Sequence, residues 1–346
     1  MRTLTYEQAI NEALKQEMER DKSVFVYGIG VPDHKRIFGT TNGILENFGA
    51  LRCLDTPLSE DAMTGFGIGA AINGLRPVHI HIRVDFLLLA VNQLVNMASA
   101  YRYMSHGELK VPIVIRAIIG RGWGQGCQHS KSMFSTFAHV PGLKVIMPTT
   151  PYDAKGMLTA AIRDDNPVIV FEHRWLYWQT GEVPEESYAV PLEGGSVIRQ
   201  GDAITIGALS WMNAEAHHAA QILSRNGVEV EIVDIRALAP LDDECLIRSV
   251  KKTGRCIIVD SDWVDFGASA ELAYRVSLRC FGKLKEPVAR IGFAPIPCPT
   301  ARHMENLFYP NAATIIRKVE EMLGIPEIDL TGEDLFSHER RFKGPF

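Results

Sequence analysis

Apolar runs that predict buried strands alternate with amphipathic helical patterns along residues 1–172. One helix begins at a capping box formed by Thr5 and Gln8, and another begins with Pro151 in its first turn. The apolar runs lie at residues 23–29, 51–54, 111–119, 144–147 and 168–171. Because strands and helices alternate, we predict a doubly wound parallel α/β sheet. Residues 86–104 are apolar nearly all round, which predicts one helix buried in a subunit interface.

A second strand–helix alternation follows a stretch without periodicity. Residues 173–200 are rich in Pro and Gly and predict a linker between domains. Apolar runs at 203–209, 229–233, 256–259 and 288–291 then predict four strands of a smaller α/β domain, residues 201–330. The charged tail 331–346 is expected to fray, with a partner-binding arm as the alternative.

A strand–helix junction at residues 54–71 places a carboxylate beside a helix of small residues. Ser59 is predicted to cap this helix, and Glu60 lies in its first turn. The helix dipole alone favours an acidic residue there, so a plain capping role is one interpretation of Glu60. Each Gly in the helix costs about 1 kcal/mol relative to Ala. We therefore expect something to approach the helix backbone closely.

Two further segments carry candidate polar side chains. Four glycines in residues 120–126 predict an unusual loop path that ends in Gln128 and His129. Such a loop can carry catalytic groups, although an ordinary surface histidine fits the pattern equally well. Period-two alternation along residues 78–86 places polar side chains on one face of a strand, and we predict that this face lies towards a ligand or an interface. A metal site is disfavoured there, because no third ligand has a suitable spacing. The residues on that face are His79, His81 and Arg83.

Composition excludes several classes of function. The 346 residues are 46% hydrophobic and 22% charged with a net charge of −5, which is typical of a globular protein of two or three domains. No basic run indicates nucleic-acid binding, and no stretch of about 18 apolar residues predicts a membrane span. We expect no signal or transit segment. Six cysteines without a Cys-x-x-Cys pair predict reduced, mostly buried thiols and a cytoplasmic protein.

Four motifs follow one another with almost no gaps: Asp55-Thr56-Pro57-Leu58-Ser59-Glu60, Gly74-Leu75-Arg76-Pro77-Val78, Gln128-His129-Ser130 and Pro141-Gly142-Leu143-Lys144-Val145. In this order they resemble the beta subunit of the thiamine-diphosphate-dependent, decarboxylating component of 2-oxo acid dehydrogenase complexes, of the pyruvate or branched-chain type. The resemblance covers about residues 4–323. It implies an N-terminal pyrimidine-binding domain and a C-terminal domain of the transketolase type that serves mainly in assembly. It is specific for the family and does not identify the 2-oxo acid.

The resemblance implies roles for individual residues. Glu60 would hydrogen-bond the pyrimidine nitrogen of thiamine diphosphate, and His129 would bind substrate and assist acyl transfer to lipoyl. The residues implied to contact the cofactor beside Glu60 are Leu58, Ile82 and Phe86. Those implied to shape substrate choice are Arg83, Arg121, Trp123 and Gln128. A potassium ion is implied at Ile113, Ala161, Ile162, Asp164 and Asn166, where a plain helix C-terminal turn is the alternative.

The chain also departs from the family pattern. Ile29 and Ile80 stand where family members often carry acidic residues. The Gly-Asp-Gly motif that holds magnesium and the diphosphate is missing. The resemblance therefore implies half of an active site, completed by an alpha subunit in an α2β2 heterotetramer that holds most of the magnesium site, with a lipoyl-bearing acyltransferase as acceptor. The alternatives are half of a split transketolase-like enzyme, or a regulatory or structural paralogue.

Overall fold

The computed structural model describes residues 1–120 and 124–335. Arg121 and Trp123, both implied to shape substrate choice, lie outside the described residues, as does most of the C-terminal tail. The described chain forms two compact units. One contains residues 1–120 and 136–192, and the other contains residues 124–135 and 193–335.

The first unit is a parallel sheet with helices on its faces. Strands β2 to β7 run parallel in the order β6-β7-β5-β4-β2-β3, and β1 pairs antiparallel with β8. The strands are β1 (Arg2–Thr5), β2 (Val24–Gly28), β3 (Cys53–Leu54), β4 (Arg76–His81), β5 (Val114–Ile119), β6 (Lys144–Ile146), β7 (Val168–His173) and β8 (Thr180–Val183). The helices through residue 192 are α1 (Tyr6–Arg20), α2 (Ile44–Phe48), α3 (Glu60–Ile72), α4 (Val84–Leu87), α5 (Ser99–Met104), α6 (Phe134–Ala138) and α7 (Pro151–Arg163). Because β2 lies between β3 and β4, their carboxyl ends adjoin at one edge of the sheet, where ligands bind in folds of this type.

Local signals set several helix ends, and the helix starts at Thr5 and Pro151 are as predicted. The Thr5 hydroxyl accepts the Gln8 amide at 3.3 Å, and the Gln8 side chain accepts the Thr5 amide at 3.0 Å, which completes the capping box of α1. Helix α7 begins with Pro151 behind a Thr150 cap. Helix α2 ends at Gly49, whose φ of 75° lies in the left-handed region.

Residues 84–104 do not form the single helix that the sequence predicts. Helix α4 passes into a 3₁₀ turn (Leu88–Ala90), then a π-helical turn (Gln93–Ala98), then α5. The two halves meet at a bend of 59°. Since the segment contains neither Gly nor Pro, the change of helix type accounts for the bend. Among the described residues no single helix is long and apolar enough to cross a membrane, although these two halves together pass that test on length and composition.

The second unit is also an α/β sheet. Within its described part the strand order is β14-β13-β10-β11-β9, with β9 antiparallel to β11 and the remaining pairs parallel. Its strands are β9 (Ser196–Arg199), β10 (Ile204–Ala208), β11 (Val230–Asp234), β12 (Ala237–Ala239), β13 (Cys256–Trp263) and β14 (Ala289–Phe293). Its helices are α8 (Met212–Arg225), α9 (Glu244–Thr253), α10 (Ala268–Arg279), α11 (Arg302–Phe308) and α12 (Ala312–Leu323). The predicted fold class, two successive α/β domains, is confirmed. The predicted linker holds β8 and β9.

Candidate functional site

Glu60 is the first residue of α3 and follows the carboxyl end of β3. Its half-buried side chain lies where a helix N-terminus favours a carboxylate. Ser59 occupies the N-cap position, but its side chain makes no cap hydrogen bond, so the predicted side-chain cap is wrong. The Ser59 amide instead donates to the Pro57 carbonyl at 2.9 Å, which closes a tight turn before the helix.

The small-residue face of α3 packs against Tyr27 of β2. The Tyr27 hydroxyl donates to the Met63 carbonyl at 3.0 Å. A Cβ atom at Gly67 would lie 1.9 Å from that hydroxyl and 2.8 Å from Cδ1 of Ile113. The close approach predicted from the glycines is therefore confirmed at Gly67. The approaching group is a side chain of the protein itself.

The residues implied to surround the pyrimidine ring follow two strands that flank β2. Leu58 and Glu60 come after β3, whereas Ile82 and Phe86 come after β4. Leu58 is 81% exposed and Phe86 is 39% exposed. These exposed apolar side chains lie at the same edge of the sheet as the half-buried Glu60 carboxylate. The apolar side chains suit contact with an aromatic ring, and the carboxylate suits a hydrogen bond to a basic nitrogen of that ring.

The histidines of β4 pack inside the first unit. The ring of His79 stacks on Tyr27 with centroids 4.3 Å apart, and Nε2 of His81 lies 3.2 Å from Nδ1 of His79. Burial lowers the pKa of both imidazoles, that of His81 to about 3, so both are neutral near pH 7. The expectation that these residues face a ligand or an interface is wrong. The described residues contain no group of three His, Cys, Asp or Glu side chains able to hold a metal ion.

Arg83 belongs to a buried cationic cluster that the sequence does not reveal. Its Nη1 donates to the Ile82 carbonyl at 2.7 Å, and its guanidinium lies 5.9 Å from the centre of the Phe38 ring. Arg174, after β7, lies 4.7 Å from the same ring centre. Burial and the neighbouring Arg83 charge lower the pKa of Arg174 to about 9. Three segments distant in sequence meet here, and no motif links them.

Protein cations contact the oxygens of three of the five residues implied to bind potassium, Ile162, Asp164 and Asn166. Nη1 of Arg76 donates to the carbonyls of Ile162 and Asp164, both at 2.9 Å. Lys144 pairs with the Asp164 carboxylate. The Asn166 side-chain oxygen accepts a hydrogen bond from Arg102 at 2.6 Å. The carbonyls of Ile113 and Ala161 accept backbone amides. This arrangement does not fit a potassium ion, and we derive no role for one.

His129 lies in a loop of the second unit, after a 3₁₀ turn (Gly126–Gln128). The imidazole is half-buried, and Gln128 is exposed. Gly126 has a φ of 63°, and a Cβ atom there would lie 2.6 Å from Oγ1 of Thr300. Glycine at 126 is therefore required both by the backbone conformation and by the close contact.

Comparison with known proteins covers both units. Residues 2–179 match the family "Transketolase, pyrimidine binding domain", and residues 194–315 match "Transketolase, C-terminal domain". The fold resembles a solved structure described as a split gene transketolase, an inactive beta4 tetramer, with a TM-score of 0.74. That match covers 94% of this chain and all of the other chain at 20% identity, so it supports the fold alone.

Curated relatives extend the match over almost the whole chain. The 2-oxoisovalerate dehydrogenase subunit beta of Bacillus subtilis is 40% identical over 324 residues, which is 93% of this chain and 99% of that protein. The acetoin:2,6-dichlorophenolindophenol oxidoreductase subunit beta of Cupriavidus necator is also 40% identical, over 91% of this chain and 96% of that protein. The pyruvate dehydrogenase E1 component subunit beta of Rhizobium meliloti is 38% identical, over 92% of this chain and 70% of that protein. The chain belongs to the family of thiamine-diphosphate-dependent 2-oxo acid dehydrogenase E1 beta subunits, built from a transketolase pyrimidine-binding domain and a transketolase C-terminal domain.

Proposed function

We propose that this chain is the beta half of an E1 component that decarboxylates a 2-oxo acid and passes the acyl group to the lipoyl group of an acyltransferase. The observation that carries the proposal is the position of Glu60. It begins α3 at the carboxyl edge of the sheet, where Leu58 and Phe86 are exposed. Relatives that match almost the full chain are E1 beta subunits.

Each of the implied site residues has a separate role in the proposed reaction. Bound thiamine diphosphate supplies the electron sink that decarboxylation requires. With the cofactor bound, the Glu60 carboxyl would hydrogen-bond its pyrimidine nitrogen and hold or release a proton there. Leu58, Ile82 and Phe86 orient the ring and exclude water from it. The His129 imidazole binds substrate and moves a proton during acyl transfer.

An alpha subunit completes the enzyme in this proposal. The sequence lacks the Gly-Asp-Gly element that binds magnesium and the diphosphate, so the partner must provide it. Several large apolar side chains of the first unit are exposed, and an α2β2 assembly would bury them. These residues are Phe66, Leu89, Tyr103 and Met104.

Acetoin is the second candidate substrate. The beta subunit of the acetoin oxidoreductase from Cupriavidus necator is as similar to this chain as the 2-oxoisovalerate enzyme is, at 40% identity. The likeness to the split gene transketolase concerns the fold and gives no support for a transketolase activity of this chain.

Reconstitution with the alpha subunit tests the proposal. Reduction of 2,6-dichlorophenolindophenol should be measured with pyruvate, branched-chain 2-oxo acids, acetoin and sugar phosphates in parallel. We expect turnover with a 2-oxo acid, and acyl transfer when a lipoyl domain replaces the dye. Turnover with acetoin alone would select the second candidate. Turnover with sugar phosphates alone would refute the proposed reaction.

A further inference from the structure

Two buried arginines lie close together in the first unit, at the carboxyl edge of its sheet. Arg83 follows β4 and is 6% exposed, whereas Arg174 follows β7 and is 1% exposed. Both guanidinium groups lie over the Phe38 ring, and burial together with the charge of Arg83 lowers the pKa of Arg174 to about 9. Both groups therefore remain positively charged near pH 7. Two like charges removed from water at one place are unfavourable unless an anion accompanies them.

A third buried arginine of the same unit shows how such a charge can be compensated. Arg116 is fully buried in β5, and its Nε and Nη2 donate to the two carboxylate oxygens of Glu172 at 2.5 and 2.8 Å. The Tyr177 hydroxyl donates to the same carboxylate at 2.9 Å. The Glu172 carboxylate is therefore engaged by Arg116 and Tyr177.

Arg83 has no comparable arrangement. Its Nη1 donates to the Ile82 carbonyl at 2.7 Å, but its buried Nε has no hydrogen-bond partner among the described residues. The charge of Asp85 favours the charged form of Arg83, yet burial outweighs it and lowers the pKa of Arg83. A buried donor without an acceptor is costly, so the Nε marks a position at which a ligand can supply an acceptor.

The aromatic ring that both arginines contact is carried by a strained turn. Arg36, Ile37 and Phe38 have φ angles of 50°, 45° and 56°, so three consecutive residues with side chains occupy the left-handed region. Backbone strain of this kind is concentrated at active sites and at segments that hold ligands. The half-buried Phe38 ring attracts the guanidinium groups but cannot neutralise them.

We propose that Arg83 and Arg174 bind a second carboxylate at the end of the substrate's side chain, so that the substrate is a 2-oxo dicarboxylic acid. This inference rests on the proposed function. Arg83 comes directly after Ile82, which is implied to contact the pyrimidine ring, and so the pair lies at the sheet edge that carries the candidate cofactor site. A guanidinium group offers the planar, paired donors that fit a carboxylate.

The carboxylate that these arginines bind is the one that stays on the substrate. In the proposed reaction the carboxylate at C1 leaves as carbon dioxide, and the acyl group that passes to lipoyl keeps the distal carboxylate. Buried cations that held the C1 carboxylate would stabilise the substrate more than the transition state and would slow decarboxylation. The distal carboxylate carries its charge throughout, so binding it orients the substrate without this penalty.

Two substrates of equal chain length test the inference in the reconstituted enzyme. 2-Oxoglutarate ends in a carboxylate where 2-oxopentanoate ends in a methyl group. We expect a kcat/KM for 2-oxoglutarate at least about tenfold above that for 2-oxopentanoate in the wild type. Arg83→Gln and Arg174→Gln should each lower this ratio at least about tenfold. Arg83→Lys should retain part of the preference, because it keeps the charge and loses the planar fork.

Arg52→Gln is the matched control. Arg52 is another arginine of the first unit that lies over a phenylalanine ring, that of Phe48 at 5.2 Å, and it donates to the backbone carbonyls of Met18, Asp21 and Val24. It precedes β3 and therefore lies at the amino edge of the sheet, opposite the candidate site. Its replacement should lower the stability of the unit and leave the ratio of the two kcat/KM values unchanged.

Calorimetric titration of the reconstituted enzyme separates this inference from the proposed function. Glutarate and pentanoate differ in the same way as the two substrates but cannot be decarboxylated as 2-oxo acids. The wild type should bind glutarate at least about tenfold more tightly than pentanoate, and Arg83→Gln should remove the difference. This difference in the absence of turnover with any 2-oxo acid would refute the proposed function and retain the carboxylate site.

Two results would overturn the inference. One is a wild-type kcat/KM for 2-oxopentanoate that equals or exceeds the value for 2-oxoglutarate. The other is an equal loss for both substrates in Arg83→Gln, which would show that the arginine only maintains the fold. If Arg83→Gln does not fold, Arg174→Gln and the wild-type ratio decide.

Discussion

Replacing Gly67 by Ala should destabilise the first unit, although the same change at Gly69, two residues along α3, should stabilise it. A Cβ atom at Gly67 meets the Tyr27 hydroxyl at 1.9 Å, whereas a Cβ atom at Gly69 meets nothing within 4 Å. The two sites share one helix, so intrinsic helix propensity favours Ala at both by about 1 kcal/mol. Only the packing around the two positions differs, so packing decides whether Ala lowers or raises the free energy of unfolding.

The size of the effect at Gly67 follows from what must move. Overpacking a filled core costs about 1–3 kcal/mol, and displacing the Tyr27 hydroxyl from the Met63 carbonyl leaves a buried donor unpaired at a cost of about 1–3 kcal/mol. After the gain in propensity is subtracted, we expect a net loss of about 3 kcal/mol. In a Tyr27→Phe background the loss should shrink, because the nearest remaining ring atom, Cζ, lies 3.1 Å from the added Cβ.

Urea unfolding of the isolated chain, followed by circular dichroism, measures both variants against the wild type. The Gly67→Ala variant should also lose activity in the reconstituted enzyme, since a displaced α3 carries Glu60 with it. Equal stability of the variants at positions 67 and 69 would show that α3 does not pack on Tyr27 as described.

Three further predictions concern the chemistry of the chain. His129→Ala should slow acyl transfer to a lipoyl domain more than dye-linked decarboxylation, and equal losses in the two assays would place the imidazole at an earlier step. Burial raises the pKa of Asp260 to about 6 and that of Asp262 to about 8, so the native state binds more protons than the unfolded state above about pH 4. The two carboxyl groups therefore contribute fully to the free energy of unfolding below about pH 4, and this contribution is lost as the pH rises to about 8. Between pH 4 and pH 8 the free energy of unfolding of Asp262→Asn should rise by more than about 1.4 kcal/mol relative to that of the wild type. The same pH dependence in both proteins would contradict this. Without its partner the chain should bind thiamine diphosphate more weakly than micromolar, because one charged hydrogen bond contributes about 1.5–3 kcal/mol of the roughly 8 kcal/mol that micromolar binding requires. Calorimetric titration with and without the alpha subunit tests this, and tight binding by the chain alone would refute it.

Most of the sheet architecture could be predicted because its signals are local. Continuous apolar runs marked most of the parallel strands of both units, and strands such as β2, β5 and β7 are buried on both faces. The Thr5 capping box and Pro151 marked helix starts within the residues that form them. Strand β9 escaped prediction because it is short and partly exposed, so it carries no continuous apolar run.

The site was harder to predict wherever packing between distant segments decides the outcome. Alternation placed His79 and His81 on one face of β4, but the stacking of Tyr27 on that face made it internal. The cluster of Arg83 and Arg174 around Phe38 joins three segments that no spacing rule connects. The motif at Glu60 was recognisable because its turn and helix are continuous in sequence.

The proposed role of Glu60 is tested most directly by comparing the turnover of Glu60→Gln with that of Asp61→Asn in the reconstituted enzyme. Both residues lie in the first turn of α3, and Asp61 is exposed. Each substitution removes one negative charge from the same helix end. We predict that Glu60→Gln lowers turnover by at least about 100-fold while the assembly stays folded, because the amide cannot share the proton. Asp61→Asn should remain within about twofold of the wild type. Near wild-type turnover by Glu60→Gln, or equal losses in both variants, would contradict the role assigned to Glu60.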